Sequence, residues 1–305
     1  MRKTISASIF VFTVALFLCA QSTYCANYKD HVNTAKSYLT ECRHKEKAAL
    51  EEMKKAYKLN PKNADVLFWL GRALYDNRKY KEAAKFLEKA LEINPDDIET
   101  NAYLSYTYGR IGENIVKRTI YMTKSINRIN KILSLDPNYA DAYFSLAIGC
   151  TYLGWYEKPT GVFRSLVKLI FKDEKLVDQF SAEMLYKKAI ELDPKDPWHY
   201  AQLGWLYLKR DKKDDAKKVF KKAIELASKD IKCGMKDDSV PRGIAINYEE
   251  AEMFSEALEY AKLALEWNPN DLALEPRLSL KTLIERLEKE KKLGKPLMKN
   301  VADEL

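Results

Sequence analysis

Apolar positions recur along the chain at helical spacing, and the runs they form stop at similar places. Leu67, Leu70, Gly71 and Leu74 fall on one helical stripe, and Ala83, Leu87 and Ala90 on a second before Pro95. Residues 197–230 repeat the arrangement with Tyr200, Leu203, Gly204 and Tyr207, then Ala216, Phe220 and Ala223. Runs end at Asn60-Pro61, Asn94-Pro95, Asp136-Pro137, Asp193-Pro194 and Asn268-Pro269, and Ser228 fills the same place once without proline. The residue before a proline is pushed out of the α region and proline cannot continue a helix, so each pair predicts a helix end. The intervals from Pro61 through Pro95, Pro137, Pro194 and Ser228 to Pro269 are 34, 42, 57, 34 and 41 residues. A period of 34, twice undisturbed and three times lengthened, predicts repeated helix pairs.

The full units at 64–97 and 197–230 resemble the tetratricopeptide repeat family, whose consensus places a large apolar residue, Leu, Gly and Tyr on the first helix of a pair and Ala, Phe and Ala on the second, followed by Pro. Small residues there let paired helices approach closely. Other units are weaker. Residues 30–63 keep Ala49, Met53, Ala56 and Pro61, but carry Lys36 and Ser37 where Leu and Gly are expected. Residues 98–137 keep Leu104 and Tyr108 and carry an eight-residue insertion near 111–117. Residues 140–194 keep Tyr143, Leu146, Ala147, Ala182, Tyr186 and Ala189 around a 23-residue insertion, and 238–271 keep Ala257 and Ala264. The expected fold is all-α, an α-solenoid of about six stacked helix pairs over residues 30–270. A capping helix and tail follow at 272–305, where Leu280, Leu283, Ile284 and Leu287 stand among charges.

Residues 1–22 read as an address. Arg2 and Lys3 precede an apolar run from Ile9 to Leu18, followed by the small residues Ala20 and Ser22, as in a cleaved secretory signal. The alternatives are an uncleaved anchor extended through Ala20 and a lipid attachment at Cys19, the latter disfavoured by Leu18 beside it. A mature N-terminal segment of residues 23–29 would follow. Ten glycines and ten prolines in 305 residues are too few for a β-sandwich or barrel. The 52 basic and 44 acidic residues, net +8, are spread along the chain, a mixed surface with a basic tilt and no nucleic-acid partner.

Chemistry is sparse. Cys25, Cys42, Cys150 and Cys233 match no zinc spacing; Cys150 falls on an apolar helix face, and a Cys25–Cys42 disulfide remains open. His31, His44 and His199 are far apart, so no metal site and no cofactor are expected. Nucleophile-elbow, phosphate-loop and zincin motifs are missing, and an enzyme is the poorest reading, with no catalytic residues to nominate. Asp214/Asp215 and Asp237/Asp238 read as solvated turns.

If the units stack as the repeat family does, the concave face carries Phe68, Arg72, Tyr75, Tyr106, Phe144, Tyr152, Trp198 and Trp205. Co-chaperones of the family grip a C-terminal carboxylate with Lys and Asn on this face. Phe68, Arg72, Ala102 and Tyr106 stand at the matching positions, so that clamp is missing. So many rings suit a peptide segment, a helix or an acyl chain, or else they are core covered by the insertions.

Within the insertion at 155–180, Val162, Phe163, Leu166, Val167, Leu169 and Ile170 share one arc, with Arg164, Lys168, Lys172 and Lys175 opposite. Such a helix either lies on an anionic membrane surface or packs on the solenoid with its basic side in water. Residues 120–225 also resemble the repeat domain of the regulator of microtubule dynamics proteins and their bacterial relatives. The likeness rests on Trp155-Tyr156, the apolar-basic run through Phe171, His199-Tyr200 and Leu203-Gly204. It implies phospholipid binding. The leading expectation is an exported, non-enzymatic scaffold that binds a protein or peptide partner in its groove, and the alternative a carrier or sensor of an apolar ligand such as phospholipid. A bacterial source implies the periplasm or outer surface. A eukaryotic one implies the secretory pathway, where Asp303-Glu304-Leu305 resembles a degenerate retention ending.

Overall fold

The structure is a computed structural model in which the described residues are 28–41, 44–111, 115–152, 164, 168, 181–232, 235–270 and 279–294, with the backbone alone for 115–119 and 152. They form helices α1 (28–40), α2 (Glu46–Leu59), α3 (Ala64–Asp76), α4 (Tyr80–Ile93), α5 (Ile98–Gly109), α6 (Ile115–Leu135) and α7 (Ala140–Tyr152). After the insertion come α8 (Ala182–Leu192), α9 (Pro197–Lys209), α10 (Lys213–Ala227), α11 (Ser239–Glu250), α12 (Phe254–Trp267) and α13 (Leu280–Leu293). The described residues are all-α apart from an antiparallel pair of two-residue strands, β1 (Ile231–Lys232) and β2 (Met235–Lys236). It divides into two compact units, one up to Thr100 and one from Asn101 onward.

Helix ends follow the Asn/Asp-Pro pairs. Asn60, Asn94, Asp193 and Asn268 each stand one residue past a helix, with φ between −142° and −129° and ψ between 72° and 88°. That is the extended backbone a following proline imposes. Ser228, which lacks the proline, stays helical at φ −66° and ψ −21°, and the extra residues of this repeat contain β1 and β2. Helix starts are capped where the sequence offers a cap. The side chains of Asn63, Ser181, Asp196 and Ser279 each accept a hydrogen bond from a backbone N–H in the first turn of α3, α8, α9 and α13.

Each unit is a stack of antiparallel pairs. In the first, α2 packs on α3 and α3 on α4, burying Leu50, Met53, Leu67, Leu70, Ala83, Leu87 and Ala90. In the second, α7 packs on α8, α9 on α10 and α11 on α12, while α9 also touches α7 and α11. Tyr186, Leu206, Phe220, Ile244 and Tyr248 fill this core. The α7–α8 pair closes across residues 153–180: Phe144 sits 6.1 Å from Tyr186, whose hydroxyl lies 3.3 Å from Thr151 Oγ1. The eight-residue insertion near 111–117 precedes a second helix of 21 residues, against 14 in α2 and α4. The terminal α13 packs on α12 and buries Leu280, Leu283 and Leu287.

The turn inside four of the pairs repeats a device that the sequence does not announce. Arg78, Asp211 and Glu252 stand two residues before α4, α10 and α12 with φ of 60°, 55° and 57°, and His44 holds the same place before α2 at 59°. Arg78 and Lys79 donate to the carbonyls of Tyr75 and Leu74; Asp211 and Lys212 donate to those of Leu208 and Tyr207. Glu252 and Met253 do the same to Glu249 and Tyr248. This double bond to the preceding helix is a Schellman motif, built on residues that are not glycine.

One reading from the sequence needs correcting. Asp237 and Asp238 are buried, not solvated. Asp238 accepts from Arg242 at 2.9 Å and from Asn268 at 3.3 Å, and Asp237 accepts from the backbone and hydroxyl of Ser239. They pin the start of α11, where buried carboxylates require partners.

Candidate functional site

The candidate residues fall in both units. In the first, Phe68 is covered, 6% exposed and edge-on to Trp69 at 5.2 Å, so it belongs to the core. Arg72 is mostly covered, its guanidinium 4.7 Å from the Trp69 ring and 3.8 Å from Glu99. Tyr75 is half-buried against Tyr80. Lys36, which departs from the repeat pattern, has a reason to do so. Its Nζ lies 3.2 Å from Asp65 and 4.9 Å from the Trp69 ring, and so ties α1 to α3.

In the second unit, Trp205 is also covered, 5% exposed. Its Nε1 donates to Glu250 of α11 at 3.0 Å, and Lys209 reaches the same carboxylate at 2.9 Å while lying 5.7 Å from the ring. A neighbouring repeat thus covers this ring. Tyr152 ends α7, and its side chain lies outside the described residues. Tyr106, Phe144 and Trp198 remain half-buried, and Trp198 rests over Gly243, where a Cβ would stand 3.1 Å from its ring. The aromatic face of this unit is narrower than the sequence implies.

Among these rings lies a polar cluster that sequence reading missed. His199, on the first turn of α9, is fully buried, with Phe144 4.8 Å away. Its Nδ1 is 3.1 Å from the carbonyl of Asp193, and since a carbonyl can only accept, Nδ1 carries the proton. Its Nε2 makes no hydrogen bond, and Asp141 Oδ1 of α7 stands 3.6 Å away. Asp196 caps α9 through Trp198 N–H at 2.7 Å. Ligand atoms of Asp141, Asp196 and His199 all lie within 4.8 Å of one another. Burial alone would lower the His199 pKa; the carboxylates of Asp141 and Asp196 and the Asp193 carbonyl outweigh it and hold it above the usual histidine value. Burial, joined by the Asp141 charge, pushes the Tyr106 phenol well up. Asp141 and His199 are 58 positions apart across the long insertion, so only the packing of α7 on α9 brings them together.

Elsewhere, Cys150 is a buried free thiol pushed by desolvation up to about 12, a core hydrophobe and no nucleophile. Cys25, Cys42, Cys233 and the signal segment 1–22 lie outside the described residues. Of the basic stripe, Arg164 and Lys168 are described and helical, Lys168 exposed; Lys172 and Lys175 lie outside. An open cleft of about 410 Å³ between α10 and α12, lined by Ile224, Tyr260 and Leu263 among charges, holds none of the candidates. Among the described residues, no helix is long and apolar enough to cross a membrane.

Stacked helix pairs ended by Asn/Asp-Pro, with small residues where the helices cross, define a helical-repeat scaffold. The chain is a tetratricopeptide repeat protein: family models of the tetratricopeptide repeat match residues 44–104 and 185–218. It is similar to the thermophilic repeat protein TTC0263 of Thermus thermophilus, with a TM-score of 0.56 at 20% identity over 73% of this chain and 99% of that one, a likeness of fold. Among curated proteins it is 27% identical over 172 residues to the protein O-mannosyl-transferase TMTC3 of Mus musculus. To the repeat-containing protein MJ1428 of Methanocaldococcus jannaschii it is 25% identical over 198 residues. These matches take in 56% and 58% of this chain but only 17% and 35% of the length of those relatives. Such repeats serve in general as scaffolds for protein–protein interaction.

Proposed function

We propose that the chain is an exported, non-enzymatic binding protein that holds a protein or peptide partner on the first helices of its repeats. The observation that carries the reading is the set of half-buried rings Tyr106, Phe144 and Trp198 on α5, α7 and α9, with the carboxylate of Asp141 close to Tyr106 and His199. Partly exposed rings with charges at their margin suit an extended or helical segment carrying apolar anchors. Transferase activity belongs to TMTC3 as a whole protein, of which the match takes in 17%, and is not carried over. Export rests on the signal-like segment at 1–22.

A second occupant, phospholipid, is supported by the same rings and by the basic run that includes Arg164 and Lys168. Native mass spectrometry of the protein isolated from its own host separates the two, with lipid extraction of the same sample. The proposal expects a defined protein partner at fixed stoichiometry. Reproducible phospholipid in place of it would overturn the scaffold reading in favour of a carrier.

A further inference from the structure

We propose that Asp141, Asp196 and His199 form a binding site for a first-row divalent metal ion, with Zn²⁺ as the ion that fits the donor set best. The proposal goes beyond the scaffold reading and does not depend on it. Three observations carry it. His199 is fully buried, yet its Nε2 makes no hydrogen bond; Asp141 Oδ1 stands 3.6 Å from it, and ligand atoms of Asp141, Asp196 and His199 lie within 4.8 Å of one another. Leaving a buried polar nitrogen without a hydrogen bond is unfavourable, and folds retain such atoms where something else takes them up. The other ring nitrogen donates to the Asp193 carbonyl, so in the neutral ring the lone pair is on Nε2, 3.6 Å from Asp141 Oδ1. Metal-bound histidines are held by this same outer contact.

Charge and distance agree. Two carboxylates with a neutral imidazole carry −2, which a divalent cation cancels. The donors lie within 4.8 Å of one another, whereas a tetrahedral shell with bonds of 2.0–2.2 Å places them roughly 3.3 Å apart. Closing the shell therefore needs a shift of about 1.5 Å at most, within the reach of Asp141, whose side chain is 42% exposed and has room to turn. The N-terminal end of α9 works against a cation, but Asp196 already answers that partial charge by capping Trp198 N–H at 2.7 Å. A carboxylate has a second oxygen for the metal. One imidazole nitrogen with two carboxylates selects Zn²⁺, Co²⁺ or Mn²⁺ over Mg²⁺ and Ca²⁺, which prefer oxygen alone. The ion would clamp α7 to the start of α9, the two helices that flank the insertion and α8.

The test is titration of the full, tag-free chain with Zn²⁺ and with Co²⁺ at neutral pH, by calorimetry and visible absorption, alongside Asp141→Asn and Asp196→Asn. Asparagine keeps the cap at 196 and sits at a partly exposed site at 141, so both variants should fold, and far-ultraviolet circular dichroism checks this. The expected result is a site with micromolar affinity, cobalt d–d bands without thiolate charge transfer, and at least tenfold weaker binding in each folded variant. Binding equal in wild type and variants, binding that shows thiolate bands, or binding no tighter than millimolar would overturn the proposal.

Discussion

Gly71, Ser105, Ala147 and Gly204 stand at the eighth position of four first helices, and all four are buried. A Cβ added at Gly204 would meet Phe220 Cε1 at 2.3 Å, and one at Gly71 would meet Leu87 Cγ at 2.7 Å. Ser105 shows what a larger residue needs there, since its hydroxyl bonds to Ser125 at 2.9 Å. Replacing a helical glycine by alanine gains about 1 kcal/mol of propensity, and overpacking costs about 1–3 kcal/mol. The rigid Phe220 ring cannot yield, so Gly204→Ala is expected to lose stability by about 1–2 kcal/mol net in urea unfolding followed by tryptophan fluorescence. Gly71→Ala, against a Leu that can change rotamer, should come out near neutral. Equal effects at the two sites would refute the close-packing account. These glycines were legible from spacing alone. The left-handed Arg78, Asp211 and Glu252 were not, because nothing in their chemistry marks a turn that glycine would normally take.

Among elements, helix ends were legible wherever proline follows and illegible where the chain departs from the period. Two strands near Ser228 and the 21-residue α6 could not be read from a missing proline or from eight extra residues. Nor could the anchoring of α13. Arg286 donates to both oxygens of Glu249 on α11, at 2.7 and 2.9 Å, while Glu249 and Glu290 are almost wholly buried. Burial holds the Glu249 carboxyl above its usual range, opposed by the Arg286 cation and aided by the nearby Glu290. Arg286→Leu removes the cation and leaves an acidic cluster in the interior, a loss of about 3–5 kcal/mol. A raised carboxyl pKa means that the folded state keeps a proton the unfolded chain releases, so stability falls as pH rises. The loss should therefore be larger at pH 8 than at pH 5, and hydrogen exchange across residues 280–293 should quicken with it. Unchanged exchange would mean that Leu280, Leu283 and Leu287 hold α13 without the ion pair.

At the scale of the whole molecule, the repeat pattern told what the chain is and left open what it holds. Eight candidate residues were placed on one face by spacing. Packing then took Phe68 and Trp205 into the interior, Trp205 against Glu250 of the next repeat, and left Tyr106, Phe144 and Trp198 half-buried. The His199 cluster was beyond reach of sequence reading for a related reason, since it forms only where α7 meets α9. The central claim is that this face of the second unit receives a protein partner. Its most direct test is site-specific photocrosslinking in the native host, with benzoylphenylalanine at Trp198 of α9 and, as a control, at Lys218 of α10, whose side chain is 76% exposed. The account predicts one discrete protein adduct from position 198 that position 218 does not give, with the partner identified by mass spectrometry. The same adducts from both positions, or none from position 198, would contradict it.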